Sequence, residues 1–359
     1  MRIAIGLARR GLGNVWPNPA VGCVIVRDGA VVGRGWTQPS GRPHAETEAL
    51  ARAGGAARGA TAYVTLEPCA HFGRTPPCAD ALVAAGVARV AIAAGDPDPR
   101  VDGAGIAKLR GAGIAVDVGI GEGGAREVNA GFFLRLREGR PLVSLKLATS
   151  LDGRIAAHSG RSRWITGEAA RALTHGMRAR HDAILVGIGT ALADDPELTC
   201  RLPGMAGRSP VRVVVDGVLR LPADAKLVKS AAAIPTWVVC GEGADLSRRE
   251  ALARAGVVSL PVPAGADGRP SPRAVLAALA EKGITRLMVE GGGTIGAAFL
   301  RAGLVDRLVW HRAPMVIGGD GLPALQALGV DDPKDAPGFV MVASQSAGPD
   351  RIETFARPH

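Results

Sequence analysis

The chain has 359 residues, more than a single hydrophobic core usually covers, so its length predicts two domains. Hydrophobic residues make up 47% of it and charged residues 21%, as in ordinary globular proteins, whereas aromatic residues at 3% are too scarce for platforms that stack single-stranded nucleic acid. The formal net charge is +10, but the arginines form no block of about five or six, which favours phosphorylated small substrates or plain solubility over nucleic acid.

Targeting signals are not evident in the sequence. No apolar run approaches the roughly 20 residues of a membrane helix, and Arg9-Arg10 interrupts the apolar pattern near the N-terminus, unlike a signal peptide. The five cysteines follow no regular framework, which is typical of a reducing compartment. We therefore expect a cytoplasmic protein with no membrane partner.

The first part of the chain predicts alternating helices and strands. Pro17-Asn18-Pro19 predicts an extended loop. The sequence fits two roles for Asn18 equally well, a contact with a ligand and the formation of a turn. This alternation predicts a layered α/β sheet. The predicted helices cover residues 1–10, 44–53 and 78–85, and the predicted strands cover residues 21–26, 30–35, 62–66, 87–93 and 114–118.

His44, Glu46, Cys69 and Cys78 form a pattern typical of hydrolytic zinc deaminases. One imidazole and two thiolates can hold Zn²⁺ and leave its fourth position to a water, whose pKa the metal lowers. Glu46 is placed as the carboxylate that moves protons to the leaving amine. Each residue alone would more often be an ordinary buried thiol or surface histidine, but the ordered set is specific. Cys78 begins a predicted helix, whose dipole favours a thiolate.

An unusually long loop separates the two cysteines, with eight intervening residues instead of two. His71 and Arg74 make this loop a candidate clamp for a base and a phosphate, and Thr75 adds a hydroxyl group. An exposed loop with incidental charge is the alternative.

A turn at Gly139-Arg140-Pro141 predicts the domain boundary. Lys146 lies within an apolar strand beyond it, where a charge must be paired or functional, and we favour a function. Predicted strands cover residues 142–148, 183–186, 211–216, 236–240 and 287–290, and predicted helices cover residues 167–180 and 295–300.

Gly291 to Thr294 join the last of these strands to its helix, so their backbone N–H groups could bind an anion, most simply a phosphate. Gly-x-Gly-x-x-Gly can be read at Gly291, Gly293 and Gly296, but no ribose-binding acid follows at the expected distance. The segment therefore does not predict a Rossmann dinucleotide-binding fold.

Longer motifs resemble the bifunctional riboflavin-biosynthesis deaminase/reductase family, in which a long loop between the cysteines is the norm. The resemblance covers nearly the whole chain in order. The residues that carry it are Pro17-Asn18-Pro19, Pro43-His44-Ala45-Glu46, Thr65 to Cys78, Asp96-Pro97-Asp98-Pro99, Gly131-Phe132, Lys146 to Gly153, Trp164-Ile165-Thr166, Leu192 to Pro196 and Glu290-Gly291-Gly292.

The resemblance implies an α/β protein with an N-terminal cytidine-deaminase-like three-layer domain followed by a dihydrofolate-reductase-like α/β domain. Residues 1–139 would be a zinc-dependent pyrimidine deaminase domain, and residues 140–359 an NADPH-dependent reductase domain. The implied reactions are hydrolytic deamination of 2,5-diamino-6-(5-phosphoribosylamino)pyrimidin-4-one, and then NADPH reduction of the ribosyl chain of 5-amino-6-(5-phosphoribosylamino)uracil to ribityl.

The same comparison implies a role for particular residues. In the first domain, Glu46 would be the proton donor. Zn²⁺ would be bound by His44, Cys69 and Cys78, and the pyrimidine and its ribose phosphate would be contacted by Asn18, His71 and Arg74.

In the second domain, Lys146 would polarise or protonate the carbonyl or imine that receives the hydride. Arginine suits bidentate binding of the substrate phosphate. The implied substrate contacts are Ser162, Arg178, Leu198, Arg201 and Glu290, and the implied NADPH contacts are Ala148, Trp164, Thr190, Asp194, Gly292, Gly293, Thr294, Ile295, Gly296, Ala297 and Ala298.

Two other functions fit parts of the pattern. A zinc deaminase acting on tRNA or single-stranded DNA would usually carry Pro-Cys-x-x-Cys and would need the second half only as an accessory domain. A non-enzymatic zinc-stabilised module would need a fourth protein ligand, for which His71 is the nearby candidate. We expect the small-molecule enzyme, with no nucleic-acid partner and as a homo-oligomer.

Overall fold

The computed structural model describes residues 1–73 and 76–358. Arg74 and Thr75, both predicted to contact substrate, lie outside the described residues. The chain divides into two compact units, Met1–Gly139 and Arg140–His359.

The first unit alternates helices and strands as the sequence predicts. Its elements are α1 (Arg2–Ala8), β1 (Gly22–Arg27), β2 (Ala30–Trp36), α2 (Ala45–Ala53), β3 (Thr61–Val64), α3 (Cys78–Ala85), β4 (Arg89–Ile92), α4 (Ala104–Gly111), β5 (Ala115–Val118), α5 (Glu122–Val128) and α6 (Ala130–Glu138).

The strands of this unit form a sheet in the order β2-β1-β3-β4-β5, in which β3, β4 and β5 run parallel. Successive residues of a strand point to opposite faces, so two helices can pack on the same strand pair from opposite sides. A Cβ at Gly22 would lie 1.9 Å from the carbonyl oxygen of Ala4 in α1, and a Cβ at Gly35 would lie 2.1 Å from that of Ala45 in α2. Glycine therefore permits both close approaches, and the unit has three layers.

Two helix starts bring the candidate zinc ligands to one edge of the sheet. His44 is the N-cap of α2 in extended conformation, and α3 begins at Cys78 after the extended Pro77. The predicted helix at residues 78–85 is confirmed. Cys69 follows the end of β3. Ligands that lie far apart in sequence thus meet because the two helices begin beside the same strand end.

The second unit is built around a larger sheet. Its elements are β6 (Leu142–Thr149), β7 (Arg154–Ala156), α7 (Glu168–Arg178), β8 (Ala183–Gly187), α8 (Ile188–Asp194), β9 (Val211–Val215), α9 (Lys226–Lys229), β10 (Thr236–Gly241), α10 (Leu246–Arg254), β11 (Val258–Val262), α11 (Pro272–Glu281), β12 (Arg286–Val289), α12 (Gly293–Arg301), β13 (Arg307–Arg312), β14 (Leu322–Pro323), β15 (Val340–Ala347) and β16 (Asp350–Ala356).

Within the described residues this sheet has nine strands in the order β11-β10-β9-β8-β12-β6-β13-β16-β15, parallel except at β16 and β15. Its two faces are covered by different helices. The Nε2 atom of His181, just beyond α7, lies 3.0 Å from the Oγ atom of Ser144 in β6. On the other face, a Cβ at Gly296 in α12 would lie 3.5 Å from a methyl carbon of Leu145. Even-numbered residues of β6, including Lys146, therefore face α7.

Several elements carry no sequence signal strong enough for a prediction. Strands β11, β13, β15 and β16 were not predicted, nor was α8, which begins with Ile188-Gly189. Most of β15 is exposed and does not alternate, so period-two patterning cannot reveal it. Among the described residues, the helices are too short or too polar to cross a bilayer.

Candidate active sites

The three predicted zinc ligands converge in the first unit. The Nδ1 atom of His44 lies 3.2 Å from the Sγ atom of Cys78 and 3.7 Å from the Sγ atom of Cys69. The backbone N–H of Cys78 donates to the Sγ atom of Cys69 over 3.3 Å. All three ligand atoms lie within 4.8 Å of one another, which fits tetrahedral Zn²⁺ with one open position.

The electrostatics of these groups favour a metal cation. A hydrogen bond from Cys78 and another from His44 lower the pKa of Cys69 to about 4. The hydrogen bond with Cys69 raises the pKa of His44, and the pKa of Cys78 is raised by its own hydrogen bond with Cys69 and by burial. One thiolate already exists at neutral pH, and a cation would draw off the remaining protons.

Glu46 lies in the first turn of α2, buried beside this cluster but outside the ligand group. Burial raises its pKa to about 7, although the neighbouring His44 opposes the shift. A carboxyl group with a pKa near neutrality can both accept and donate a proton. The geometry is thus that of a proton shuttle beside a metal.

A cavity of about 340 Å³ opens onto these groups. Asn18 and His71, both predicted substrate contacts, line it. The Nδ1 atom of His71 is buried and has no hydrogen-bond partner among residues 1–73 and 76–358. His71 is not part of the ligand group, so no fourth described ligand closes the site as a structural zinc module requires.

The cavity also contains polar residues for which the sequence predicted no role. Asp96 and Asp98 line it, together with Arg100, whose Nε atom donates to Asp98 over 2.9 Å. Burial raises the pKa of Asp96 to about 6. Glu67 accepts from the backbone N–H of Ile106 over 3.2 Å and so ties the first turn of α4 to the chain just beyond β3. The Asp96-to-Pro99 motif was the available signal, but nothing in it indicated which side chains enter the cavity.

Lys146 lies in a buried network of charges in the second unit. Its Nζ atom is 3.8 Å from Glu290, which follows β12, and the Nε and Nη2 atoms of Arg178 each donate to Glu290 over 2.9 Å. Burial lowers the pKa of Lys146, while Arg178 and Lys146 outweigh burial and lower the pKa of Glu290. The Arg178 guanidinium, which was expected to bind the substrate phosphate, therefore already uses its Nε and Nη2 atoms to bind Glu290.

The predicted cofactor residues come partly together at the carboxyl ends of the strands. Gly292 is the N-cap of α12, and Thr190 in α8 packs against it, because a Cβ at Gly292 would lie 3.2 Å from the Thr190 Oγ1 atom. Gly291 and Gly292 have φ angles of 136° and 77°, which favour glycine. Thr294 is exposed, whereas Gly293, Gly296 and Ala297 are buried and could contact a ligand only through their backbone or not at all.

The other predicted residues are less tightly assembled. Trp164 is exposed and has the Arg171 guanidinium 4.3 Å from its ring centroid, and Arg163 beside it donates to the carbonyl oxygen of Asp194 over 3.3 Å. Arg201 is exposed and pairs with Glu197. Ala148 and Ser162 are half-buried and Leu198 is buried, so only the first two offer side-chain surface to a ligand.

Comparisons with known proteins match each of the two units to a family. The family model for the cytidine and deoxycytidylate deaminase zinc-binding region matches residues 1–94, and that for the RibD C-terminal domain matches residues 141–350. The chain is 43% identical to the riboflavin biosynthesis protein RibD of Bacillus amyloliquefaciens, over 98% of this chain and 93% of the relative.

Two solved structures share the whole fold. RibD of Acinetobacter baumannii is 39% identical with a TM-score of 0.89, and the alignment covers 99% of this chain and 97% of that one. A diaminohydroxyphosphoribosylaminopyrimidine deaminase/5-amino-6-(5-phosphoribosylamino)uracil reductase of Thermotoga maritima is 34% identical with a TM-score of 0.87, covering 100% of this chain and 97% of that one.

The fold and the site define a zinc-dependent deaminase joined to a dihydrofolate-reductase-like domain, that is, a two-domain enzyme with zinc and NADPH as cofactors. The chain belongs to the RibD family of riboflavin biosynthesis proteins. It is a bifunctional deaminase and reductase of riboflavin biosynthesis, as the sequence predicted.

Proposed function

We propose that the first unit deaminates 2,5-diamino-6-(5-phosphoribosylamino)pyrimidin-4-one and that the second reduces the ribosyl chain of 5-amino-6-(5-phosphoribosylamino)uracil. The observation that carries the proposal is the three-ligand cluster with Glu46 buried beside it, facing a cavity large enough for a pyrimidine. The relative from Thermotoga maritima carries the names of both activities.

In deamination, Glu46 moves protons from the attacking water to the ring nitrogen and the departing amine. A zinc ion held by His44, Cys69 and Cys78 supplies an acidified water when bound. Asn18 and the unpaired Nδ1 atom of His71 orient the pyrimidine from the cavity wall. The role of Arg74 towards the phosphate stays a prediction.

In reduction, Lys146 donates the proton that accompanies hydride addition to the opened sugar. NADPH supplies the hydride when bound. We assign the α12 N-terminus, Gly292 to Ala298, with Ala148, Trp164, Thr190 and Asp194, to the cofactor. The substrate would be held on the α7 face by Ser162, Arg178, Leu198, Arg201 and Glu290, with Arg201 better exposed for the phosphate than Arg178.

The test is to supply purified protein with zinc, the diaminopyrimidine substrate and NADPH, and to follow ammonia release and loss of NADPH absorbance separately. We expect ammonia release without NADPH, and NADPH oxidation only after deamination. Oxidation of NADPH by the undeaminated substrate would contradict the proposed order. Deamination of tRNA, or a gel shift with it, would favour the nucleic-acid alternative.

We also propose that the enzyme is a cytoplasmic homo-oligomer in which a second copy covers β15. This edge strand contains no charged residue, and Val340, Met341 and Val342 are each more than half exposed. Such an edge invites pairing unless it is covered. Light scattering should give a multimer for the wild type and a smaller species for Val342→Lys, and an unchanged mass would contradict the proposal.

A further inference from the structure

His311 is a buried histidine of the second unit to which the proposed reaction gives no role. Its side chain is 0% exposed, and neither Nδ1 nor Nε2 has a hydrogen-bond partner within the part of the chain that the structure describes. Burial lowers the pKa of His311 to about 3, so the imidazole is neutral, with one N–H donor and one lone pair. Leaving either group buried and unpaired is unfavourable, so its place in the structure calls for an explanation.

His181 provides a comparison within the same face of the sheet. It is also buried, and burial lowers its pKa as well, to about 4. Both of its nitrogens have partners, however: Nδ1 lies 2.8 Å from the carbonyl oxygen of Met177, and Nε2 lies 3.0 Å from Ser144. A histidine buried in this layer can therefore have both ring nitrogens hydrogen-bonded. The lack of described partners for His311 is due to its particular position and not to burial itself.

The strand register places His311 beside the proposed proton donor. β13 pairs in parallel with β6, with Val309 opposite Lys146 and His311 opposite Ala148. Residues opposite each other share a face, as do alternate residues of one strand, so His311, Lys146 and Ala148 all face α7. His311 lies nearer than Lys146 to the carboxyl ends of the strands, where ligands of parallel sheets bind.

The surrounding charges leave the ammonium group of Lys146 with hydrogens to donate. Charged or titratable side chains described in this layer include Lys146 on β6, Glu290 after β12, Arg178 and His175 on α7, and Asp350 on β16. Burial lowers the pKa of His175. Asp350 accepts from a backbone N–H at the start of α7, and Arg178 is bound to Glu290. The 3.8 Å between Lys146 and Glu290 exceeds hydrogen-bond length.

We propose that His311 is a positioning residue of the reductase site: when the Lys146 side chain turns from Glu290 towards the substrate, its ammonium group donates a hydrogen bond to the neutral imidazole of His311, which holds it there. The bond is not made in the structure, where Lys146 lies 3.8 Å from Glu290 and the imidazole nitrogens have no partner within the described residues. No proton leaves His311. Its lone pair stabilises the charged form of Lys146 against burial, and so keeps the lysine protonated when it must act as an acid. The inference rests on the proposed reductase function.

The experiment compares His311→Leu, which removes the acceptor, with His311→Gln, which retains one. In the full-length enzyme, nitrogen NMR of the lysine side chains gives the pKa of Lys146, and steady-state kinetics gives the pH profile of the reductase. Deamination by the same molecules reports correct folding of the first unit, and the melting temperature of the second unit reports its own integrity. His311→Met replaces the leucine variant if that variant fails to fold.

We expect His311→Leu to lower the reductase kcat roughly 10- to 100-fold with little change in KM, as for loss of a hydrogen bond to a charged group. The pKa of Lys146, and with it the alkaline limb of kcat, should move to lower pH because the ammonium loses an acceptor. His311→Gln should restore both. If His311 had only a structural role, His311→Leu would lower the melting temperature without shifting the alkaline limb of the kcat pH profile.

Two results overturn the inference: a pKa of Lys146 that is the same in wild type and His311→Leu, or equal shifts in the leucine and glutamine variants. Lys146→Met separates this inference from the proposed function. If the pKa of Lys146 moves as expected but Lys146→Met retains full reductase activity, the contact with His311 is real and the assigned role of Lys146 is wrong.

Discussion

The two active sites balance their charges in opposite ways. In the first unit, His44, Cys69 and Cys78 contact one another, and their hydrogen bonds lower the pKa of Cys69 and so provide a thiolate for a cation. In the second, the one carboxylate of Glu290 lies between Lys146 and Arg178 and neutralises part of their charge without any cofactor.

This difference separates two ways of keeping polar groups in a protein interior. At the zinc cluster, metal binding offsets the free-energy cost of burying its polar ligands. In the Lys146 network the ion pairs with Glu290 exist before any ligand binds, so a substrate must compete with them. Changes at the first site should therefore affect chemistry and metal content, whereas changes at the second should also affect stability.

The largest expected effect is that of Glu46→Gln, which removes the proton shuttle and keeps the shape of the side chain. Ammonia release should fall by roughly 10²- to 10⁴-fold, the usual contribution of general acid–base catalysis. Zinc content and reductase turnover should match the wild type. Glu48→Gln on the same helix, at a residue paired with Arg52, is the matched control. Persistent deamination would remove Glu46 from the mechanism.

Glu290→Gln tests how much the shared carboxylate stabilises the buried Lys146 and Arg178. It leaves two buried cations without their carboxylate, so the free energy of unfolding of the second unit should fall by about 3–5 kcal/mol, measured by denaturant titration. The more exposed pair of Arg312 and Glu353 provides the control, and Glu353→Gln should cost less than about 1 kcal/mol. Equal losses in the two variants would contradict the comparison.

The pH dependence of this contribution has a definite sign. The pKa of Glu290 in the folded protein lies below its ordinary value of 4.5. Its stabilisation is therefore complete above pH 4.5 and is lost as the pH falls through the lower, folded-state pKa. The difference in unfolding free energy between wild type and Glu290→Gln should shrink in acid. A difference that grows in acid would contradict a lowered pKa of Glu290 in the folded protein.

Lys146→Met should lower the reductase kcat roughly 100-fold, because it removes the proposed acid, while deamination continues at the wild-type rate. Steady-state NADPH oxidation with the deaminated substrate is the measurement. Lys226→Met, at an exposed lysine of the same unit, is the control and should have no effect. Unchanged turnover in Lys146→Met would leave the reductase without its assigned proton donor.

The smallest effect is expected at the rim of the deaminase cavity. Arg100 is 70% exposed and held by the buried Asp98, so Arg100→Gln should raise KM for the phosphorylated substrate by roughly three- to tenfold and leave kcat unchanged. The dephosphorylated substrate should show no such change. Arg27→Gln, at an exposed pair with Asp28, is the control. An equal rise for both substrates would exclude a contact with phosphate.

The sequence predicted the zinc cluster well because its evidence is chemical and local. His44, Glu46, Cys69 and Cys78 are residue types with few other reasons to occur in that order, and the helix starts next to them follow from proline and apolar spacing. No role was predicted for the cavity residues Asp98 and Arg100, because the sequence of a charged loop does not show whether its side chains face a ligand or solvent.

The residue types and their order predicted a set of zinc ligands, two domains, and a Lys146 that is either paired or functional, with function favoured. Only the tertiary structure decided which partner it has. Arg178 and Glu290 are 112 residues apart, and they meet because parallel strand order brings the end of β12 beside β6 under α7. The same register buries His311 near Lys146, with no hydrogen-bond partner for its imidazole among residues 1–73 and 76–358. Spacing along a chain fixes local geometry, whereas contacts between distant strands depend on how the whole sheet is ordered.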